Sequence, residues 1–393
     1  MSKKKTMNFE TKAIRTQMER TPYQEHSNPL FLTSSFVFED ADEMRAAFAG
    51  EKKRNIYSRF TNPNTSEFVE KLCELEGAEA GYAFSTGMAA IFSTFACLLN
   101  SGDHIVSSRS VFGSTHSMFM KYLPKWQITT SYFKVNEPDS IEDLIQPNTK
   151  ILYAETPTNP AVDILDLSYL SEIASKHDLI LIIDNCFATP YLQTPIDYGA
   201  DLVLHSATKL IDGQGRVLGG AVVGRADLVE EIYLFSRNTG PALSPFNAWI
   251  LSKSLETLHV RVDRHCENAL KLAQFLEQHE SVAKVRYPFL KSHPQYEVAK
   301  RQMKKGGNIV AFEVKGGLEK GRSLLNSIKL ASLSANLGDS RTIVTHPAST
   351  THSKLEESDR LEVGITDGLI RVSVGLEHID DIINDIDQAL RNE

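Results

Sequence analysis

Three apolar segments of the sequence each run into a polar side chain of a type that catalysis uses. The segment "LILIID" ends at Asp184, "DLVLHSATK" ends at Lys209, and "KILYAE" leads into "TPTNP", which contains Asn159. A charged group at the end of so apolar a segment is costly to bury without a partner. If the segments are parallel strands of one sheet, their carboxyl ends meet at the edge where α/β proteins bind ligands.

The segment "FSTGMAA" adds a candidate anion site. Ser85 and Gly87 lie between a predicted strand, "AGYAF", and a predicted helix, "GMAAIFSTFACLL". Free N–H groups at a helix N-terminus favour a phosphate, and Gly87 lets the backbone approach it closely. Ser206 and Thr208 can add hydroxyl donors from the other side.

An amine, a carboxylate and a phosphate site together suit pyridoxal phosphate. Its aldehyde forms a Schiff base with a lysine, and an acidic partner keeps its ring nitrogen protonated. The sequence therefore predicts that Lys209 binds the aldehyde and that Asp184 contacts the ring nitrogen.

The elements that must position these residues alternate along the chain. A helix over "SEFVEKLCELEG" is expected to be capped by Asn64 or Thr65 and closed by Gly77, and another is expected over "HSMFMKYLPKW". The seven predicted strands are "AGYAF", "HIVSS", "TTSYF", "KILYAE", "LILIID", "DLVLHS" and "GGAVVG". Continuously apolar strands separated by helices predict the α/β class, with a mostly parallel seven-stranded sheet and helices on both faces.

The pattern changes near Ser244, where one long helix is predicted over "SPFNAWILSKSLETLHVRVDRHCENALKLAQFLEQH". The strands "SVAKVRYP", "NIVAFEV" and "LIRVSV" follow, with helices between them, which is typical of a smaller α+β domain. We therefore expect an irregular N-terminal arm over residues 1–60, a cofactor-binding α/β domain over 61–255 and a C-terminal α+β domain over 256–393.

Composition limits the kinds of partner. The chain has 393 residues, 41% hydrophobic and 23% charged, with a net charge of -8. That length allows a large core and two domains, and the acidic balance argues against a nucleic-acid partner. No apolar run approaches the length of a membrane span, and "MSKKK" is not followed by the apolar region of a secretory signal.

The cysteines and histidines do not form a metal pattern. Cys73, Cys97, Cys186 and Cys266 include no CxxC pair, so we expect reduced thiols in a cytoplasmic protein, with Cys186 as a packing residue. The segment "HPASTTH" contains His346 and His352, but no carboxylate or cysteine joins them at ligand spacing, so no metal site is expected.

The segments "SATK", "ETPTNP", "IIDNCFATP", "YSRFTNPN" and "RVSVGLE" together resemble the Cys/Met-metabolism pyridoxal-phosphate enzymes, a family that includes synthases, lyases and sulfhydrylases. The resemblance covers the chain from about Thr11 to the C-terminus. It implies the fold-type I architecture of pyridoxal-phosphate transferases. It also implies a homo-oligomer, a tetramer of two active dimers.

The resemblance implies a role for each candidate residue. Lys209 and Asp184 are catalytic, Asn159 lies near the phenolic oxygen of the ring, and Arg371 binds the substrate carboxylate, with Asn336 and Tyr57 also at the substrate. Tyr57 and Arg59 reach the cofactor phosphate of a neighbouring subunit. The remaining phosphate contacts implied are Ser85, Gly87, Met88, Ser206 and Thr208.

Phe112, in "SVFGSTHS", occupies the place where many members of the family have a tyrosine stacked on the cofactor ring. We count Phe112 with the catalytic and cofactor-binding residues because phenylalanine can also stack. It has no hydroxyl group to exchange a proton, which argues against a lyase.

Within the family, "SATKLIDGQGRVLGGAVVG", "EHSNPLFLTSSFVF" and "NLGDSRTIVTHPASTTH" are most similar to sulfhydrylases that act on O-succinylhomoserine. The resemblance therefore implies that sulfide replaces the succinyl group to give homocysteine, in methionine biosynthesis. The alternatives on the same scaffold are a cystathionine gamma-synthase and a methionine gamma-lyase.

Two alternatives come from other classes of protein. A nucleotide-binding protein of the Rossmann type requires GxGxxG after its first strand, whereas "AFSTGMAA" has a single glycine. A catalytically silent binding protein is compatible with the fold alone. The set of Lys209, Asp184 and Arg371 favours an enzyme over both.

Overall fold

A computed structural model describes residues 7–350, 353, 357–362 and 364–392 of the chain. Its strands form a seven-stranded and a five-stranded sheet. The strands are β1 (Ala80–Phe84), β2 (His104–Ser108), β3 (Thr129–Phe133), β4 (Thr149–Glu155), β5 (Ile180–Asp184), β6 (Leu202–His205), β7 (Gly220–Gly224), β8 (Val282–Arg286), β9 (Ile309–Val314), β10 (Ser332–Leu333), β11 (Ile343–Thr345) and β12 (Leu369–Ser373).

The α-helices lie before, between and after these strands. They are α1 (Phe9–Arg15), α2 (Ala41–Phe48), α3 (Pro63–Glu76), α4 (Gly87–Leu98), α5 (Gly113–Ser117), α6 (Leu167–Lys176), α7 (Thr189–Leu192), α8 (Ala226–Thr239), α9 (Pro245–Leu255), α10 (Leu258–Glu277), α11 (Tyr296–Gln302), α12 (Gly317–Ser327), α13 (Glu357–Glu362) and α14 (Ile379–Arg391). Short 3-10 helices cover Leu123–Trp126, Pro138–Ser140, Glu142–Leu144, Pro195–Tyr198 and Pro347–Ser349.

The first sheet has the strand order β1-β7-β6-β5-β4-β2-β3. All neighbouring pairs are parallel except those made by β7, which runs antiparallel to both β1 and β6. The carboxyl ends of β1, β2, β4, β5 and β6 therefore lie at one edge. This confirms the mostly parallel seven-stranded sheet of a fold-type I α/β protein.

Apolar side chains cover both faces of this sheet. One core joins the sheet to α3, α6 and α9, and includes Phe68, Leu170 and Leu251. The opposite core joins it to α4 and α8, and includes Phe95 and Ile232. Helices on both faces explain why the central strands are apolar without alternation, as the sequence indicated.

The second sheet has the order β10-β11-β12-β9-β8 and packs against α10, α12 and α14. The predicted strands correspond to β8, β9 and β12, whereas β10 and β11 were not predicted. These two strands have only two and three residues, which is too short to show a pattern in the sequence. The division into an arm and two domains stays a prediction.

Three predicted helices differ from the structure. The prediction that Asn64 or Thr65 caps α3 was wrong. Asn62 is the N-cap and accepts a hydrogen bond from the Asn64 N–H at 2.9 Å, and Pro63 begins the helix. Gly77 closes it, as predicted, with φ of 75°. The arm is not wholly irregular, since it contains α1 and α2.

The long helix predicted after Ser244 is two helices, α9 and α10, separated at Glu256 and Thr257. The carbonyl of Ser254 accepts from the Arg261 guanidinium at 2.9 Å, which replaces helical hydrogen bonding at the break. The helix expected over "HSMFMKYLPKW" is also divided, into the end of α5, a π-helical turn over Met118–Tyr122 and a 3-10 turn that contains Pro124. A proline cannot donate to an α-helical carbonyl, which explains the change of winding.

Candidate functional site

The strand ends bring together the polar residues that the sequence indicated. Asp184 closes β5 and lies beside Glu155, which closes β4 in the paired register. β6 ends at His205, and the turn that follows carries Ser206 and Lys209. One edge of the sheet therefore carries an amine and two carboxyl groups.

The Lys209 amine points toward the second sheet. Its Nζ donates a hydrogen bond to Asn336 Oδ1 at 2.6 Å, across 127 positions of sequence. Burial lowers the pKa of the amine, and the nearby guanidinium of Arg371 also lowers it. A lysine with a lowered pKa supplies the neutral amine that a nucleophile or a general base requires.

Two further residues hold the turn that carries Lys209, and the sequence analysis identified neither. The buried guanidinium of Arg261 donates to the carbonyls of Leu210 at 2.8 Å and Ile211 at 3.1 Å. Gly338 has φ of 72°, and a Cβ there would lie 2.6 Å from the Leu210 nitrogen. The close approach and the left-handed backbone together require glycine at this position.

Asp184 is buried, with hydrogen bonds to both of its oxygens. Oδ1 accepts from the Cys186 N–H at 3.0 Å, and Oδ2 accepts from the Tyr153 hydroxyl at 3.4 Å. Burial raises the pKa of this carboxyl to about 6, although the Cys186 N–H and His205 oppose the shift. Such a carboxyl gains from a cationic partner, as the ring nitrogen of a protonated pyridine would be.

The raised pKa makes the stability of the cofactor-free protein depend on pH. Asp184 has a folded-state pKa of about 6, above the ordinary 3.8, so the folded state binds the proton more tightly than the unfolded state. The resulting stabilisation of the folded state is complete at a pH below the ordinary pKa. It is lost as the pH rises through the folded-state pKa. We expect Asp184→Asn to remove this loss, worth roughly 2 kcal/mol in the free energy of unfolding between pH 4 and pH 7.

Urea unfolding of the cofactor-free wild type and of Asp184→Asn at the two pH values checks this expectation. The wild type should lose more stability than the variant on going from pH 4 to pH 7. The same pH dependence in both proteins would contradict the raised pKa of Asp184.

Arg371 connects the two sheets at the site. From β12, its Nη1 donates to Asn159 Oδ1 at 2.9 Å and its Nη2 donates to the Asn336 carbonyl at 3.2 Å. Burial lowers the pKa of the guanidinium to about 10, opposed by Glu155. Its Nε is buried and has no hydrogen-bond partner among the described residues. The structure thus brings Lys209, Asn336, Arg371 and Asn159 into one connected group.

The candidate phosphate site lies at the start of α4. Thr86 is the N-cap and accepts from the Ala89 N–H at 3.0 Å, so Gly87 and Met88 begin the helix. A Cβ on Gly87 would lie 2.7 Å from the Ser206 Cβ, which shows how closely the two turns approach each other. The N-terminus of α4 and the Ser206 side chain therefore lie together at the candidate phosphate site.

Thr208 has hydrogen bonds of its own at this site. Its hydroxyl donates to the Gly219 carbonyl at 3.2 Å and accepts from the Gly219 N–H at 3.1 Å. Its hydroxyl proton is therefore directed to the backbone, while its predicted contact with a phosphate stays a prediction.

Gly87→Ala should weaken binding of the cofactor. The added Cβ would lie 3.0 Å from the Ser206 Cα, so the backbone of one turn must shift away from the phosphate position. We expect the apparent dissociation constant for pyridoxal phosphate to rise about tenfold, a typical cost of overpacking. Absorbance titration of the cofactor-free protein measures it.

Gly113→Ala is the matched control, because Gly113 also begins a helix and a Cβ there meets nothing within 4 Å. Unchanged cofactor affinity in Gly87→Ala would show that the approach of the two turns does not shape the phosphate site.

Tyr57 and Arg59 make their observed contacts with the arm and with α8 of their own chain. The Arg59 guanidinium hydrogen-bonds to the carbonyl of Arg237 in α8 and lies 4.9 Å from the ring centroid of Phe60. The Tyr57 ring is exposed and borders an apolar groove of the arm. Within the described chain, neither residue hydrogen-bonds to Lys209 or Gly87.

Phe112 and two buried carboxyl groups complete the surroundings. The Phe112 ring is 43% exposed, and its backbone N–H donates to Glu155 Oε2 at 2.7 Å.

On the other face of the sheet, Glu76 Oε1 lies 2.6 Å from His205 Nε2 and accepts from Asn185 at 3.0 Å. Glu155 closes the quoted segment "KILYAE", so its position at a strand end was the signal that could have identified it.

The described residues show neither a metal site nor a membrane-spanning helix. They contain no group of histidine, cysteine and carboxylate side chains that could hold a metal ion. His352 lies outside these residues, so its part in the expectation of no metal site is not covered. None of the described helices has both the length and the apolar character needed to cross a membrane.

The arrangement fits pyridoxal phosphate. A partly buried lysine, a buried carboxyl with a raised pKa and a glycine-lined helix N-terminus lie at one sheet edge. They match the three needs of that cofactor, which are an amine, an acidic partner and an anion site.

Comparison with known proteins gives the same result. The family model described as "Cys/Met metabolism PLP-dependent enzyme" matches residues 10–391. An O-succinylhomoserine sulfhydrylase of Pseudomonas aeruginosa is 46% identical, covering 97% of this chain and 95% of that protein. An L-methionine gamma-lyase of Treponema denticola is 41% identical, covering 98% and 97%.

A solved structure from Campylobacter jejuni, of a protein provisionally named O-acetylhomoserine (thiol)-lyase, is also similar. It has a TM-score of 0.94 and 34% identity, and covers 98% of this chain and all of that one. Its cofactor is seen as N′-pyridoxyl-lysine-5′-monophosphate. This chain therefore belongs to the pyridoxal-phosphate-dependent enzymes of Cys/Met metabolism, and its cofactor is pyridoxal 5′-phosphate.

Proposed function

We propose that the chain catalyses γ-replacement on O-succinylhomoserine, in which sulfide displaces succinate and homocysteine forms, as a step of methionine biosynthesis. The similarity to a sulfhydrylase at 46% identity supports this reaction, although lyases at 41% identity share the scaffold. The choice between them therefore depends on residues of the site.

Phe112 is the residue that favours a sulfhydrylase over a lyase. It lies beside the two carboxyl-terminated strands, with its N–H bound to Glu155. A phenylalanine ring can stack on the cofactor but cannot give or accept a proton. A replacement reaction in which Lys209 moves the protons does not need an acid at this position.

Pyridoxal phosphate, when bound, withdraws electrons from the amino acid joined to it and so acidifies the α proton. Asp184 would bind the ring nitrogen as a carboxylate and would favour its protonated form. Lys209 removes the Cα proton through Nζ, and Asn336 Oδ1 holds that amine by the hydrogen bond at 2.6 Å. Lys209 would also take a Cβ proton, so that the C–O bond at Cγ can break and succinate leaves as its carboxylate. The hydrosulfide anion then forms the C–S bond at Cγ, and the two protons return to Cβ and Cα to give homocysteine.

Arg371 orients the substrate through its α-carboxylate. Its two terminal nitrogens are already aligned by Asn159 and by the Asn336 carbonyl. A guanidinium can bind a carboxylate with two parallel hydrogen bonds, which fixes both position and angle. Binding of the carboxylate in this way fixes the orientation of the breaking bonds at Cα and Cγ relative to the cofactor ring.

The active unit is a homo-oligomer, in which Tyr57 and Arg59 of one copy complete the phosphate site of another. The exposed Tyr57 ring and the contact of Arg59 with α8 support this assembly. We propose a tetramer built from two such dimers, with residues 1–60 as the arm that each copy contributes.

Product analysis of the purified holoenzyme tests the proposed reaction. O-succinylhomoserine and O-acetylhomoserine are each supplied with sulfide and with cysteine, and methionine is supplied alone. We expect homocysteine from O-succinylhomoserine and sulfide at the highest kcat/KM. Faster cystathionine formation with cysteine, or ammonia and a keto acid from methionine, would assign the chain to a synthase or a lyase instead.

A further inference from the structure

The carboxyl group of Glu155 is buried in the site and has no part in the reaction described above. It closes β4 with 3% of its surface exposed, beside Asp184 on β5. Burial, and then the charge of Asp184, raises the pKa of this carboxyl, whereas the backbone donors of Phe112 and Asn159 stabilise the carboxylate and oppose the shift. A buried carboxyl group is costly to keep, so the contacts that it makes need an explanation.

Two loops contact this carboxyl group through their backbones. The Phe112 N–H, in the loop after β2, donates to Oε2 at 2.7 Å. The backbone of Asn159, in the loop after β4, is a second donor near Glu155 and lowers the pKa of its carboxyl. A carboxylate presents two oxygens that only accept, which matches two backbone donors better than an amide does.

The Phe112 ring is exposed, so its position depends on how firmly the Phe112 backbone is held by Glu155. With 43% of its surface exposed, packing against neighbouring side chains cannot hold the ring by itself. Phe112 is also the residue before α5, where no side chain caps the helix. The hydrogen bond to Glu155 is therefore a fixed link between this loop and the rigid sheet.

We propose that Glu155 is a positioning residue that sets the place of the Phe112 ring over the cofactor through the Phe112 backbone N–H. The inference rests on the stacking role proposed for Phe112. Glu155 itself touches neither substrate nor cofactor in this proposal. It acts by holding the loop after β2 at a constant distance from the end of β4.

Amide hydrogen exchange in the cofactor-free protein tests the link directly. Glu155→Gln keeps the size of the side chain, but its amide has one accepting oxygen for two backbone donors. We expect the Phe112 amide to exchange about tenfold faster in this variant, the effect of losing one hydrogen bond of the stronger kind. Fragmentation mass spectrometry resolves the amide.

Asp163→Asn is the matched control, because Asp163 is a half-buried carboxylate of the same segment whose side chain pairs with Arg286. It should leave Phe112 exchange unchanged. Equal protection of Phe112 in the wild type and in Glu155→Gln would overturn the proposal. If Glu155→Gln does not fold, Glu155→Asp shortens the reach by one methylene and should also speed exchange.

A double-mutant cycle on cofactor affinity separates positioning from a general structural role. Glu155→Gln should raise the dissociation constant of pyridoxal phosphate about tenfold in the wild type. In the Phe112→Ala background, which has no ring to position, the same change should cost less than about threefold. Equal losses in both backgrounds would contradict the proposal. Neither readout depends on the substrate, so failure of the proposed reaction would be seen separately.

Discussion

Lys209→Ala should have no measurable turnover and should lack the visible absorbance of the cofactor bound to lysine. The variant removes both the amine that binds the aldehyde and the base that moves the Cα proton. General base catalysis alone contributes up to about 10⁴-fold, so we expect at least that loss in kcat/KM. Homocysteine formation from O-succinylhomoserine and sulfide, with an absorbance spectrum of the same sample, measures both effects.

Cys186→Ala is the matched control for Lys209→Ala. Its thiol lies in the same site, 3.9 Å from the Ser206 carbonyl, and burial raises its pKa far above the ordinary value. A thiol that stays protonated is a poor nucleophile, so this variant should keep nearly all activity. A Lys209→Ala enzyme with normal turnover, or an inactive Cys186→Ala enzyme, would show that the roles are wrongly assigned.

Asp184→Asn should lose about 100-fold or more in kcat/KM while the protein stays folded. The carboxylate opposes a cationic ring nitrogen, and an amide in its place leaves that charge unpaired in a buried site. Steady-state kinetics at pH 7 on the cofactor-loaded variant measures the loss. The variant should also bind pyridoxal phosphate more weakly.

Tyr153→Phe is the control for Asp184→Asn. It removes the hydroxyl that donates to Asp184 Oδ2 at 3.4 Å but leaves the carboxylate in place. We expect a small loss from this long hydrogen bond. If Asp184→Asn retained the activity of Tyr153→Phe, the ring nitrogen would not depend on the charge of Asp184.

The first sheet could be predicted because its strands are buried on both faces. β4, β5 and β6 are apolar along almost their whole length, and the polar residues that follow them mark the edge where ligands bind. β10 and β11 lack such a pattern, since they pair over only two and three residues. At the break between α9 and α10 the Arg261 guanidinium binds the Ser254 carbonyl, a contact that helical periodicity does not show.

The site could be predicted in part for a similar reason. Lys209, Asp184 and Asn159 follow strands of one sheet, so local sequence identifies them as neighbours. Arg371 comes from β12 and Asn336 from the loop between β10 and β11. Their contacts with Asn159 and Lys209 span more than a hundred residues, so resemblance to a family was needed. Glu155 was missed because a carboxyl group at a strand end shows its partner, the Phe112 N–H, only in three dimensions.

Reduction of the holoenzyme with borohydride, followed by peptide mass mapping, tests most directly that Lys209 binds the cofactor. Borohydride converts the imine to a stable amine and leaves a pyridoxyl label on the lysine that held the aldehyde. We predict one label per chain, on the peptide that contains Lys209, and none in Lys209→Ala. A label on another lysine, or no label on the wild-type protein, would contradict the account.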